Sequence, residues 1–268
     1  MVANTDNDAS PDIQCRSLTK AFPGNVEVLR PLDLEIAGGE TTALVGPSGC
    51  GKSTLLRLIA GLETPSAGEV LIGGVSPAEM LRDAGLAVAF QDPSLLPWRS
   101  VRGNIELALK LARRPADPRA VEDLIRLVGL EGFADTRPGA LSGGMRQRAA
   151  IARSMVTRPR LLLLDEPFGA VDELTRRQLA DDLPPLWEKR QTTTLLVTHS
   201  IGEAVLLSDR VLVLTPRPAE IIADIRIELE RPRAPAVTGS TEFRRLVEAV
   251  SEALAEGVRA TKPPLAAQ

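Results

Sequence analysis

Tyrosine is absent from this chain, and two tryptophans and five phenylalanines hold the aromatic share to 3%. Histidine occurs once, at His199, and cysteine twice, at Cys15 and Cys50. Two cysteines suggest neither a disulfide framework nor a metal site, so a reducing cytosol is the simplest setting. No apolar run approaches the ~20 residues that a membrane-spanning helix needs. Residues 1–12 are polar and acidic, without the basic and apolar regions of a signal peptide. Work at a membrane is therefore expected from one side, through a partner. Net positive charge is missing too: at −3 the chain has no general electrostatic grip on nucleic acid. Arg146, Arg148, Arg153, Arg158 and Arg160 have no aromatics interleaved with them. They read as a solvated helix face rather than a nucleic-acid surface. No internal repeat is found.

What is present is globular material. Hydrophobic residues make up 44% and charged residues 25% of 268 positions, enough for one large core or two small ones. Residues 1–12 read as disordered. From 13 to 36, short strand patterns flank Phe22-Pro23-Gly24-Asn25, which predicts an antiparallel β start. Strand-like runs follow at 41–45, 68–72 and 85–90. Between about 93 and 157 the period turns helical; within 121–128, for instance, Leu124, Ile125, Leu127 and Val128 are apolar. Apolar strands return at 161–164, 194–197 and 211–214, with helical stretches between them. Such alternation predicts a parallel sheet covered on both faces, interrupted by a helical insert. Phe243, Leu246, Val247, Val250 and Leu254 mark one face of an amphipathic helix, expected to pack on its own domain. Residues 261–268 read as a frayed, proline- and alanine-rich end.

The most specific pattern is Gly46-Pro47-Ser48-Gly49-Cys50-Gly51-Lys52-Ser53, which satisfies G-x-x-x-x-G-K-[ST] at every fixed position. Binding a triphosphate takes backbone geometry: successive N–H groups turn inward, and glycines permit the close approach. Lys52 then reaches the β- and γ-phosphates, and the Ser53 hydroxyl is placed to ligate Mg²⁺. A β-prone run precedes this loop. The helical pattern after it, from Ser53 and Thr54 onward, presents its N-terminus to the anion.

Two further patterns bear on chemistry. Four leucines end in Asp165-Glu166, an acidic pair at the carboxyl end of a buried strand, where parallel sheets bind ligands. Asp165 is suited to hold Mg²⁺ and Glu166 to polarise an attacking water. Leu141-Ser142-Gly143-Gly144 offers a second anion-binding helix start, with Ser142 as the cap. One domain needs a single phosphate loop, so a second such element points to a nucleotide shared between two subunits.

With these pieces assembled, the chain resembles the ATP-binding-cassette ATPases from about 13 to 233. The resemblance implies an α/β fold: a P-loop NTPase (RecA-like) core with an antiparallel β subdomain and an inserted helical subdomain. The nucleotide-binding domain would span 13–235, its helical subdomain about 93–157, with a C-terminal amphipathic helix and tail at 236–268. ATP and Mg²⁺ are the implied ligands, ATP being held by Gly46, Pro47, Ser48, Gly49, Cys50, Gly51, Lys52, Ser53 and Thr54. Phe22 resembles the aromatic that stacks on adenine, and Gln91 the glutamine that meets Mg²⁺ and the membrane partner. The implied metal set is Ser53, Gln91 and Asp165; the implied catalytic set is Glu166, His199 (the switch histidine) and Gln91. Ser142, Gly143 and Gly144 match the signature that closes over the opposite subunit's γ-phosphate, and Asp172 the aspartate that communicates across the dimer. Met145 stands where the signature usually has glutamine, and Ser200 where an aspartate often follows the histidine.

The partners implied are a second copy in an ATP-sandwich homodimer, two membrane permease subunits and, indirectly, a periplasmic solute-binding protein, with no nucleic acid. The expected place is the cytoplasmic face of the inner membrane, peripherally bound. A soluble ATPase of this type acting on DNA or ribosomes usually carries tandem cassettes, coiled-coil insertions or basic arms, none of which is seen. A phosphate-loop kinase or GTPase would lack the second anion loop. The run from Ser94 to Ile105, with Leu95, Leu96, Pro97 and Trp98 at its start, is similar to the ATPases of nitrate, sulfonate and taurine importers, as are Leu207-Ser208-Asp209-Arg210-Val211 and Arg231-Pro232-Arg233. Those four apolar residues are expected either to pack under the insert or to line a groove for a permease helix.

Overall fold

In the computed structural model, which describes residues 10–169, 171, 173–233 and 235–261, the chain begins with two long strands. β1 (Ile13–Phe22) and β2 (Val26–Ile36) pair antiparallel across a turn at Gly24 and Asn25. Both turn residues have positive φ, 85° and 58°, a conformation that glycine and asparagine tolerate best. β4 (Ala67–Ile72) flanks β1 on its other side and completes a three-stranded antiparallel sheet.

The second sheet has six strands. In spatial order they are β5 (Leu86–Ala89), β6 (Leu161–Asp165), β7 (Thr193–Val197), β3 (Thr41–Val45), β8 (Arg210–Leu214) and β9 (Ile221–Arg226). The first five are parallel and β9 runs antiparallel to β8. Successive side chains of a strand point to opposite faces, so the unbroken apolar runs divide between two cores. Leu161, Leu163, Leu195, Val197 and Leu212 pack with α1 (Lys52–Ile59) and the three-stranded sheet. Leu162, Leu164, Leu196, Val211 and Val213 pack on the opposite side with the remaining large helices.

Those helices are α3 (Val101–Leu111), α4 (Pro118–Leu127) and α5 (Gly143–Met155), then α6 (Glu173–Asp182), α7 (Pro184–Glu188), α8 (Ile201–Leu207) and α9 (Thr241–Thr261). Three side-chain caps begin the helices of the insert: Ser100 for α3, Asp117 (followed by Pro118) for α4 and Ser142 for α5. Inside it, Asn104 has no exposed surface and its side chain makes four hydrogen bonds. It accepts from the Leu96 amide and donates to the carbonyls of Leu96, Arg99 and Ser100. α9 buries Phe243, Leu246 and Val250 against α8, β8 and β9 of its own domain.

Three expectations need correction. Residues 10–12, read as disordered, are packed: Pro11 is buried, its carbonyl accepts from the Thr193 hydroxyl at 2.7 Å, and the Asp12 carbonyl accepts from the Gly73 amide. Ser10 donates its hydroxyl to the Gln191 carbonyl and crosses Gly38 so closely that a Cβ there would overlap the Ser10 carbonyl. Residues 1–9 and 262–268 lie outside the described residues. Next, the arginine run is not simply a solvated face. Arg153 donates to the carbonyls of Ser94 and Pro93 at 2.7 and 2.8 Å, and Arg146 donates to the Leu141 carbonyl at 2.6 Å. Finally, β9 and the one-and-a-half-turn α2 (Pro77–Arg82) form where no element was read.

Candidate functional site

β3 is buried along its whole length and delivers the chain to Gly46, where backbone meets backbone. A Cβ at Gly46 would lie 2.9 Å from Cys50 Sγ and 3.1 Å from the Leu214 carbonyl. Gly49 and Gly51 take φ of 73° and 127°, and a Cβ on Gly51 would press on Val28 at 2.9 Å. The turn is thus glycine-dependent both in conformation and in space. It places Lys52 at 5% exposure, its ammonium donating to the Gly46 and Pro47 carbonyls at 2.8 and 2.9 Å. α1 starts there without a side-chain cap, so its first-turn N–H groups stay available to an anion. Pro47, Ser53 and Thr54 are half-buried, Ser48 is exposed and Cys50 is buried.

Three neighbouring strands carry the other groups to the same carboxyl edge of the sheet. Asp165 ends β6 and accepts a 2.9 Å hydrogen bond from the Ser53 hydroxyl. Burial raises its carboxyl above the usual aspartate range; the Ser53 bond opposes this and the nearby Glu166 charge adds to it. Glu166 follows at a φ of 47°, held by its amide bonding the Val197 carbonyl at 2.9 Å. A left-handed glutamate is costly, and here it turns the carboxylate back toward the loops after β5 and β7. Gln91, just beyond β5, donates its amide to Glu166 Oε2 at 3.0 Å. His199, just beyond β7, places Nδ1 3.6 Å from the same oxygen with its ring 53% exposed.

The residues brought together are therefore Lys52, Ser53, Asp165, Glu166, Gln91 and His199. Hydroxyl, carboxylate and amide oxygens form a hard donor set that suits Mg²⁺, and the uncapped glycine loop suits phosphate. Ser142, Gly143 and Gly144 are not part of this cluster. The Ser142 hydroxyl accepts from the Met145 amide at 3.2 Å, and no hydrogen bond joins these three to the phosphate loop among the described residues. Phe22 is 36% exposed, with the Lys20 ammonium 4.8 Å from its ring centre. Asp172 lies outside the described residues. One network was not anticipated from sequence: Arg176, Glu203 and Thr198 connect the turn after Glu166 to the loop holding His199.

A parallel sheet with a glycine phosphate loop after one strand and an Asp-Glu pair at the end of another defines an α/β phosphate-loop NTPase. The ABC transporter family profile matches residues 29–169, and the chain belongs to that family, as one of its ATP-binding, ATP-hydrolysing subunits. It is 47% identical over 227 residues to the aliphatic sulfonates import ATP-binding protein SsuB of Escherichia coli K12, covering 85% of each chain. To the bicarbonate transport ATP-binding protein CmpC of Synechococcus elongatus it is 48% identical over 230 residues, covering 82% of this chain and 34% of that one. Among solved structures it matches the ATP-binding cassette MJ0796, dimeric in a post-hydrolysis state with ADP and Pi. That match has a TM-score of 0.73 and 29% identity, covering 81% of this chain and all of the other. No described helix is long and apolar enough to cross a membrane.

Proposed function

We propose that the chain is the ATP-hydrolysing subunit of a bacterial importer for a small anion, working as a head-to-tail homodimer with two ATP molecules at its interface. ATP phosphates lie in the Gly46–Ser53 cradle with Lys52 on the β- and γ-phosphates. Ser53, Asp165 and the Gln91 side-chain carbonyl oxygen, whose amide nitrogen is engaged by Glu166, would hold Mg²⁺. When bound, that ion neutralises charge developing on the phosphates. Glu166 Oε2 accepts the proton of the attacking water, and Gln91 and His199 orient that oxygen. Phe22 stacks on adenine, and Asp172 communicates between subunits.

One observation carries the dimer. The second anion-binding element, Ser142 to Gly144, opens α5 away from the chain's own phosphate loop, with Ser142 exposed. Each nucleotide then contacts the loop of one copy and the signature of the other, in keeping with the dimeric state of MJ0796. Mixing Lys52→Ala subunits with Ser142→Arg subunits should leave one intact composite site per heterodimer and restore ATP binding. A mixture that binds no more nucleotide than either variant alone refutes the shared site.

The same reading assigns a permease helix to the groove between β5 and α3, lined by Leu86, Val88, Leu96, Leu107 and Leu111. Trp98, two residues beyond Leu96 and 67% exposed, is the aromatic anchor. The cargo is a sulfonate, taurine or nitrate, supplied by a periplasmic binding protein. The relatives that import sulfonates and transport bicarbonate support a small-anion cargo. Growth of a deletion strain on each compound as sole sulfur or nitrogen source tests this; normal growth on all of them rejects it.

A further inference from the structure

Glu166 and His199 sit on different loops, so hydrolysis depends on what holds those loops in register. Among the described residues, the guanidinium of Arg176, on α6, reaches groups in two directions. It donates to the carbonyls of Phe168 and Val171, each at 3.4 Å, in the turn that follows Glu166. Its Nε also lies 3.5 Å from Glu203 Oε1 on α8. The other carboxylate oxygen of Glu203 accepts a 2.6 Å hydrogen bond from the Thr198 hydroxyl. That hydroxyl oxygen in turn accepts from the Ser200 amide at 3.0 Å. Thr198 and Ser200 are the two neighbours of His199 in the chain. Both partners are sheltered, their side chains 27% and 11% exposed, so water screens the pair less than a surface one.

We infer that Arg176 and Glu203 form a positioning pair that sets the distance between Glu166 and His199. Among the described residues, no hydrogen bond or ion pair joins either side chain to the phosphate loop. The link runs from the turn after β6, through one ion pair, to the two residues bracketing the histidine. Removing either partner releases the His199 loop from the Glu166 turn without altering the cradle. ATP binding should persist while the chemical step slows, since small misplacements of reacting groups are expensive.

This inference rests on the catalytic roles proposed for Glu166 and His199, and the experiment separates the two. ATPase kinetics and ATP affinity are measured for Arg176→Ala, Arg176→Lys, Glu203→Gln, His199→Ala, Glu166→Gln and the Glu203→Gln/His199→Ala double variant. Glu203→Gln keeps the shape and an acceptor for Thr198, and so tests the ion pair even if Arg176→Ala fails to fold. The expected result is a kcat lowered about 10-fold or more in Glu203→Gln with ATP affinity and melting temperature near wild type. Arg176→Lys should recover part of that loss, and the double variant should be no slower than His199→Ala. Wild-type kcat in Glu203→Gln, or full additivity with His199→Ala, overturns the positioning role. Wild-type turnover in Glu166→Gln overturns the reading of the site beneath it.

Discussion

Gln91 and Glu166, 75 positions apart in sequence, are joined by a 3.0 Å hydrogen bond between an amide and a carboxylate oxygen. The bond spans two strand ends, so the residue that opens the loop after β5 bears directly on the oxygen proposed to activate water. A carboxylate whose Oε2 accepts from the Gln91 amide and faces the His199 imidazole is held in direction, as an in-line displacement requires. Glu166→Gln removes the basic oxygen while preserving size and hydrogen bonding. It should bind ATP normally and hydrolyse it at least about 100-fold more slowly, with gel filtration showing an ATP-stabilised dimer. Turnover at the wild-type rate would take the base role from this residue.

Gly51→Ala should disable the cradle. The new methyl would meet Val28 at 2.9 Å in a backbone conformation, φ 127°, that alanine rarely adopts. A stability loss of about 1–3 kcal/mol is expected, together with loss of nucleotide affinity by calorimetry. Gly49→Ala has open space around its Cβ and should cost less, which makes it the matched control.

Asn104 and Trp98 should behave oppositely. Asn104→Ala removes the printed partner of the Leu96 amide and of the Arg99 carbonyl, while the Leu96 and Ser100 carbonyls keep backbone donors, and should cost about 1–3 kcal/mol by denaturant unfolding. Trp98→Ala, at a side chain two-thirds in solvent, should stay within about 0.5 kcal/mol of wild type and keep its ATPase activity. Its effect should be on copurification with the permease. A large loss of stability there would make Trp98 a packing residue.

Asp165 sets a pH dependence whose sign follows from burial. Its carboxyl titrates above the ordinary range in the folded protein, so the folded state holds that proton more tightly than the unfolded chain does. Its contribution to stability is complete below the unfolded value and declines as pH rises through the folded one. Asp165→Asn should therefore raise the melting temperature at neutral pH, measured without nucleotide or metal, and flatten the acid limb of the curve. A melting temperature lowered at neutral pH by Asp165→Asn contradicts the argument.

Much of this architecture was legible because its signals are local. Gly46 to Ser53 is a pattern that needs its spacing, and the leucines at 161–164 declare a strand buried on both faces. β9 was not legible: Ile221-Ile222-Ala223-Asp224-Ile225-Arg226 mixes polar and apolar residues on a half-exposed edge, and its place is set by pairing with β8. α2 is six residues long and owes its start to a Ser76–Glu79 capping box, too brief for a period to register. Arg231-Pro232-Arg233 was read as a likeness to one group of importers. In the fold, Arg233 donates to the carbonyls of Val205, Leu206 and Ser208 at the end of α8. The Arg176–Glu203 link left no mark either, since an arginine and a glutamate far apart in sequence announce nothing until the sheet brings them together.

The crossing of Ser10 over Gly38 has a mechanical consequence. With Pro11 tied to Thr193 and Asp12 to Gly73, residues 10–12 rivet the small antiparallel sheet to the entry of β7. Sheet and subdomain must then tilt as one plate, and any substitution at Gly38 would prise them apart.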